Sequence, residues 1–211
     1  MLISIHPTTP EPRIVQQICD GLSRGGLYIL PTDTAYAFVA ALDSPRAINE
    51  IYRLKNLPEK RALSILCKDV AMASHYAVNI PNPIFRFMKT ETPGPYTFIL
   101  KANRNVDRRG LGRKKEVGVR IVNHPLHRAL MERLDTPLIS SSLTTDDEYV
   151  TDPEELAELY GKAVEAVIDG GVRPKEVSTI IDCTEDPPRL TRQGEGDVSG
   201  LENLLDLDDA D

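Results

Sequence analysis

The sequence predicts one α/β domain in which helices cover a mixed β-sheet. Three observations carry that expectation. Helix and strand signals alternate along the chain. Several successive strand candidates have no helix between them, which argues against a purely parallel sheet. The 211 residues with 41% hydrophobic content suffice for a sizeable core, although Trp is absent.

Leu2–Ile5 reads as a short strand. Thr9 is placed to cap a helix with Pro10 at its first position, and Ile14, Val15, Ile18 and Leu22 form its apolar stripe before Gly25-Gly26 ends it. Leu27–Leu30 is a strand, and Tyr36–Leu42 a second one across a polar loop. Asp43 or Ser44, followed by Pro45, starts a helix burying Ala47, Ile48, Ile51 and Leu54. Leu63–Cys67 is a strand, Asp69 opens a short helix, and Asn82-Pro83 opens another that breaks at Thr92-Pro93-Gly94-Pro95. Tyr96–Leu100 and Val117–Val122 are strands separated by a basic segment. Pro125–Leu134 is helical, Pro137–Ser142 a strand, and Asp152-Pro153 begins a helix to about Tyr160. Val164–Ile168, Thr179–Cys183 and Arg189–Thr191 complete the strands. Residues 1–200 are read as the domain, and 201–211 as an acidic tail expected to be disordered at its end.

The net charge of −7 comes from the end of the chain: seven acids and no base follow Arg192, so residues 1–192 are balanced. Within that body the charge is segregated. Segment 101–120 holds Lys101, Arg104, Arg108, Arg109, Arg113, Lys114, Lys115 and Arg120 against Asp107 and Glu116, while 144–160 holds acids and no base. A basic stretch of this kind is either a solvated loop or a surface for polyanions. No apolar run reaches the length that spans a bilayer, and no secretory signal is visible. Cys19, Cys67 and Cys183 are odd in number and lack CxxC spacing, which fits reduced thiols in a cytoplasmic protein.

The chemistry concentrates at two strand ends. Ile29-Leu30 runs into Pro31-Thr32-Asp33-Thr34-Ala35-Tyr36, and Pro31 ends the ladder because it has no N–H. Leu138-Ile139 runs into Ser140-Ser141-Ser142 and then Thr144-Thr145. Short hydroxyls beyond strand ends suit phosphate or carboxylate oxygens, and in open α/β sheets ligands bind there. The same residues also satisfy turns. Lys55, Lys60, Arg61 and Arg120 stand near element ends, where ammonium and guanidinium groups neutralise phosphate. There is no Walker A motif and no Gly-x-Ser-x-Gly elbow, and Gln193-Gly194-Glu195-Gly196 is too short for a dinucleotide fingerprint. His124 and His127 lack a third ligand at metal spacing and are read as surface or capping histidines, so no metal site is expected. The residues describe an anion-binding α/β protein suited to phosphoryl or nucleotidyl transfer.

An ordered set of motifs then resembles the YrdC-like family, and within it the YciO branch. The set comprises Pro31–Tyr36, Ile51-Tyr52-Arg53-Leu54-Lys55, Leu63-Ser64-Ile65-Leu66, Pro93-Gly94-Pro95-Tyr96-Thr97-Phe98-Ile99-Leu100, Gly118-Val119-Arg120-Ile121, Pro137–Ser142 and Ser178-Thr179-Ile180-Ile181-Asp182. The resemblance runs from about Ser4 to Val198. It implies a twisted mixed sheet with a concave, positively charged cavity. It also implies threonylcarbamoyl-AMP chemistry, in which L-threonine, bicarbonate and ATP with Mg2+ give the adenylate and pyrophosphate for tRNA modification. By the same resemblance Lys55 and Arg120 are the catalytic candidates. Thr32 and Arg120 would meet the threonine carboxylate or carbamate, with Tyr36 on the substrate side. Lys55, Ser142 and Thr144 would meet the phosphates, and Ser140, Ser178 and Arg192 the nucleotide.

The chain departs from the family's motifs at identifiable places. Lys-x-Arg reads Lys55-Asn56-Leu57, and Ser-x-Asn reads Ser142-Leu143-Thr144. A lost guanidinium at a polyphosphate removes about 1.5–3 kcal/mol, which is one or two orders of magnitude in affinity. Lys60 and Arg61 are candidate replacements from neighbouring positions. The alternatives are a module for double-stranded RNA or tRNA, and a non-synthesising paralogue acting on a related adenylate.

Overall fold

The computed structural model describes residues 1–58, 63–107, 115–145, 148–173 and 175–205. The chain runs β1 (Leu2–Ser4), α1 (Pro12–Ser23), β2 (Leu27–Leu30), β3 (Ala37–Ala41), α2 (Pro45–Leu54), β4 (Ser64–Leu66), α3 (Val70–Ser74), α4 (Asn82–Glu91), β5 (Tyr96–Lys101), α5 (Arg104–Asp107) and β6 (Glu116–Arg120). It continues through α6 (Pro125–Met131), β7 (Leu138–Ser142), β8 (Thr144–Thr145), β9 (Glu148–Tyr149), α7 (Pro153–Tyr160), β10 (Ala166–Asp169), β11 (Thr179–Asp182) and β12 (Arg189–Arg192), to a 3-10 turn at Ser199–Leu201. Ten strands form one sheet in the order β1-β10-β2-β3-β7-β4-β6-β5-β11-β12, and β8-β9 is a separate hairpin. Four of the nine pairings are parallel and five antiparallel, so the mixed sheet expected from the sequence is the one found.

Two apolar layers sandwich the sheet. On one face, α2, α3, α4 and α7 supply residues such as Ile48, Ile51, Ala73, Ile84, Met88 and Leu156 against Ile29, Phe38, Ile65, Phe98, Val119 and Ile139. On the other, α1 and α6 supply Val15, Ile18, Leu22, Leu126 and Leu130 against Tyr28, Leu30, Val39, Leu138 and Ile168. Each strand feeds both layers because successive side chains point to opposite faces. The second layer covers β10, β2, β3 and only the near ends of β7 and β4.

Several boundaries differ from expectation for identifiable reasons. Helix α1 begins at Pro12 after Glu11, not at Thr9, because the Thr9 hydroxyl bonds instead to His6 Nδ1 at 2.8 Å. Ser44 and Asp69 cap α2 and α3 as expected, their side chains accepting from Ala47 N and Met72 N. The α5 turn and the β8-β9 hairpin were not anticipated; both are too short for periodicity to register. The division at Leu201 also shifts: Leu201 and Leu205 are buried in the core, so residues 201–205 continue the domain and 206–211 lie outside the described residues. Among the described residues no helix is long and apolar enough to cross a membrane.

Candidate functional site

The face that α1 and α6 leave uncovered carries a different kind of side chain. In β4, β6, β5 and β7 the positions alternating with Ile65, Val119, Phe98 and Ile139 are Ser64, Gly118 and Arg120, Thr97, and Ser140 and Ser142. Register aligns them. Ser64 sits opposite both Gly118 and Ser140, and Ile180 lies between Thr97 and Arg192. Gly118 leaves room for Ser64, since a Cβ there would lie 2.6 Å from Ser64 Oγ and 3.3 Å from its Cβ, so that Ser64 would have to shift. Small side chains without a helix above them leave a cavity of about 430 Å³ over the strands.

Three cations reach this cavity, each held by hydrogen bonds. Lys55 caps the end of α2, and its Nζ donates to Ser141 Oγ at 3.1 Å and to the Ser142 carbonyl. Arg192 donates from Nε and Nη2 to the Ser178 carbonyl (3.0 and 2.8 Å) and from Nη2 to Ser178 Oγ (3.1 Å). Ser178 Oγ in turn shares a 2.8 Å bond with Thr97 Oγ1, both side chains being buried. Arg120 is buried and donates from Nη2 to Asp33 Oδ1 at 2.6 Å and to Thr34 Oγ1 at 3.1 Å. Asp33 is held from its other oxygen by the Asn123 N–H at 2.9 Å. Arg120 is therefore partly neutralised by a carboxylate of the Pro31–Tyr36 loop. The cavity wall itself contains Lys55, Arg120 and Arg192 and no carboxylate among the described residues.

Of the candidate residues, Lys55, Arg120, Ser140, Ser142, Ser178 and Arg192 line one cavity. Thr32 and Tyr36 do not line it. Thr32 is fully buried and turned to its own loop, donating to the Ala35 carbonyl at 2.6 Å and accepting from Thr34 N–H at 3.1 Å. Tyr36 is also fully buried; its hydroxyl donates to the Gly171 carbonyl at 2.8 Å and accepts from Gly170 N–H at 3.1 Å. Burial pushes its phenol up to about 12. Lys60 and Arg61 lie outside the described residues, between Pro58 and Leu63 of the cavity wall. So do the Thr144 side chain and most of the basic segment, residues 108–114.

Ser64 and Thr97 line the cavity without having been singled out, and Ser141 of the Ser140-Ser141-Ser142 cluster, given no role of its own, lines it as well. The signal for Ser64 and Thr97 was a polar residue beside apolar ones inside a short strand. His124 caps α6 through Nδ1, one of the two roles expected of it, but it is buried; His127 is neither a surface nor a capping residue, being buried with Nε2 bonded to Pro31 O at 2.9 Å. Among the described residues no cluster of metal-ligating side chains occurs. A larger cavity of about 720 Å³ opens elsewhere, where β1, β10 and β2 begin. It contains no hydroxyl side chain, and Glu50 and Glu165 offset its cations, so the smaller cavity has the better chemistry for an anion.

Residues 20–194 match the family model Sua5/YciO/YrdC, described as telomere recombination. The chain belongs to the Sua5/YciO/YrdC family. It is similar to the uncharacterised protein YciO of Escherichia coli K12, with 38% identity over 92% of this chain and 95% of that protein. It is also similar to the threonylcarbamoyl-AMP synthase of Pyrococcus abyssi, with 30% identity over 97% of this chain and 61% of that one. The chain thus spans less than two thirds of that archaeal relative. The crystal structure of E. coli YciO superposes with a TM-score of 0.87 at 35% identity, covering 95% of this chain and 98% of that one. P. abyssi Sua5 complexed with L-threonine superposes with a TM-score of 0.88 at 25% identity, covering all of this chain and 66% of that one. Leu57, two residues after Lys55, lines the cavity as well.

Proposed function

We propose that the cavity binds a nucleotide together with the threonine carbamate and serves threonylcarbamoyl-AMP chemistry. The observation that carries this reading is the convergence of Lys55, Arg120 and Arg192 with six serine and threonine residues in a wall free of carboxylates among the described residues. Such a wall suits two anions that must be brought together. The threonine amine combines with bicarbonate, losing water, to form a carbamate. A carbamate oxygen attacks the α-phosphorus of ATP, the bond to the β-phosphate oxygen breaks, and pyrophosphate leaves. No protein nucleophile is needed; positive charge and preorganised donors lower the barrier. Lys55 is suited to the phosphates, and Arg192, fixed by Ser178, to the nucleotide. Magnesium enters with the phosphates of its substrate ATP. The P. abyssi relatives, one a threonylcarbamoyl-AMP synthase and one a Sua5 with bound L-threonine, support the substrate class.

Leu57 in place of the motif's arginine weakens the hold on the polyphosphate, so turnover is expected to be slower than a full motif would permit. The buried, free thiols Cys19, Cys67 and Cys183 are consistent with a cytoplasmic setting. The test is incubation with ATP, Mg2+, bicarbonate and L-threonine, following pyrophosphate and threonylcarbamoyl-AMP by mass spectrometry. Product is expected, and Lys55→Ala should lower it by about 10- to 100-fold. Absence of product from folded protein would reject synthesis. Breakdown of supplied adenylate would then favour the non-synthesising reading, and tight, salt-sensitive RNA binding the nucleic-acid one.

A further inference from the structure

Among the described residues the sheet is open, and its two edges differ. One edge, β12, carries Arg189 and Arg192, charges of the kind that keep an edge from pairing with another chain. The other, β1, is Leu2-Ile3-Ser4, with neither charge nor proline. Its bonding direction is fixed by β10. The Met1 carbonyl accepts from Val167 N–H at 2.8 Å, and Ile5 N–H donates to the Asp169 carbonyl at 3.0 Å. Alternate residues bond to opposite sides of a strand, so the N–H and C=O groups of Leu2 and Ser4 point away from the sheet. Helix α7 lies beside this edge, packed on β10 and β1, and runs antiparallel to both. Its start is tied to the far end of β10, where Arg173 N–H donates to the Thr151 carbonyl at 3.0 Å, and residues 161–165 alone join its end to the start of β10. Tyr160 reaches inward to Phe38 of β3, and Ala157 packs on the same core. The outward flank, at spacings of three and four residues, is Asp152, Glu155 and Leu159, with Lys162 just past the helix end. Leu159 is 53% exposed, and Glu155 and Lys162 are exposed beside it. The flank therefore has an acidic end, an apolar middle and a basic end.

We propose that the β1 edge and the outward flank of α7 form an interaction surface for a second copy of this chain, paired antiparallel through β1. A two-fold axis at Ile3, normal to the sheet, sets Leu2 opposite Ser4 of the second copy, and each such pair exchanges both of its backbone hydrogen bonds. The same axis keeps the two α7 helices on one face of the joined sheet and runs them antiparallel. Lys162 of each copy then meets Asp152 and Glu155 of the other, with Leu159 between. A flank of one sign would repel itself in this arrangement. This one carries opposite signs at the places the axis brings together, which is what selects a second copy as the occupant. The serine-lined cavity lies beyond β10, β2 and β3, so pairing leaves it open, and the inference does not depend on the reaction proposed above.

Analytical ultracentrifugation of the full chain over a concentration series tests it. The mass is expected to rise from 23.4 kDa towards twice that value by about 1 mM. Ser4→Pro removes an outward N–H that the single chain does not use and should weaken pairing about tenfold or more. Its urea midpoint should change little, since only the exposed bond from Ser4 Oγ to Asp169 is lost. Leu159→Glu leaves the strand untouched, sits at an exposed position and should also weaken pairing about tenfold. Lys162→Glu should weaken it about three- to tenfold, and Glu155→Lys added to that variant should recover most of the loss. A single-chain mass at every concentration would overturn the proposal, leaving the edge to solvent or to a different partner. Pairing that survives Ser4→Pro or Leu159→Glu, or a charge exchange that recovers nothing, would overturn it as well.

Discussion

The two halves of one sheet face behave differently although the same strand geometry builds both. Over β10, β2 and β3, the side chains Ile168, Tyr28, Leu30 and Val39 meet α1 and α6 and exclude water. A few strands away, Ser64, Thr97, Ser140 and Arg120 occupy equivalent pleat positions with no helix above them, and a cavity results. The opposite face carries one continuous apolar core that includes Ile29, Phe38, Ile139, Ile65, Val119, Phe98 and Ile181. One face therefore secures the fold along the whole sheet. The other is divided between stability and binding, and the divide falls where side chains change from branched aliphatic to small hydroxyl.

This division is open to attack from both sides. The largest effect is expected on the opposite face, which secures the fold. Phe38 is fully buried and packs edge-on against Tyr160 at 5.1 Å between ring centroids, so Phe38→Ala should cost about 3–5 kcal/mol in urea denaturation. Next comes the pair that joins the hydroxyl loop to the cavity. Asp33 and Arg120 side chains are 8% and 5% exposed, and Asp33→Ala leaves the guanidinium buried without its carboxylate. A loss of about 3 kcal/mol is expected, and an unchanged midpoint would mean that water or another acceptor replaces Asp33.

The histidines under that loop add a pH dependence of smaller size. Burial lowers His124 to about 4 and His127 to about 3 from 6.5. Below pH 6.5 the unfolded chain binds protons that the folded chain excludes. The stability is thus intact above pH 6.5 and falls progressively from there towards about 4 and about 3. By about pH 5 a loss of the order of 1–3 kcal/mol is expected, and His127→Gln should flatten the slope. The smallest effect sharpens the binding half. Leu57→Arg returns a guanidinium to the cavity wall and should tighten ATP about tenfold by calorimetry, with little change in stability.

Residue chemistry explains which site residues were legible. Ser140 and Ser142 were visible because a run of hydroxyls follows an apolar strand, and Lys55 because it ends a well-capped amphipathic helix. Ser64 and Thr97 were harder to see, since one hydroxyl between apolar neighbours also fits an ordinary half-exposed strand position. Thr32 and Tyr36 illustrate the opposite case. Their hydroxyls look available in sequence, yet the fold buries both, and a buried hydroxyl must find an internal partner.

Sequence alone determined the α/β class, most helix starts, the two hydroxyl-bearing strand ends and membership of a family of ordered motifs. Those features rest on local preferences: Pro and Ser at helix starts, alternation along strands, and the missing N–H of Pro31. Tertiary structure alone decided that Arg192 and Ser178, from the end of the chain, meet Lys55, that Asp33 claims Arg120, and that Thr32 turns inward. Those outcomes depend on strand order and on which part of a face a helix covers. Strand neighbours such as β5 and β11 are set by the packing of the whole sheet, which no local stretch of sequence contains.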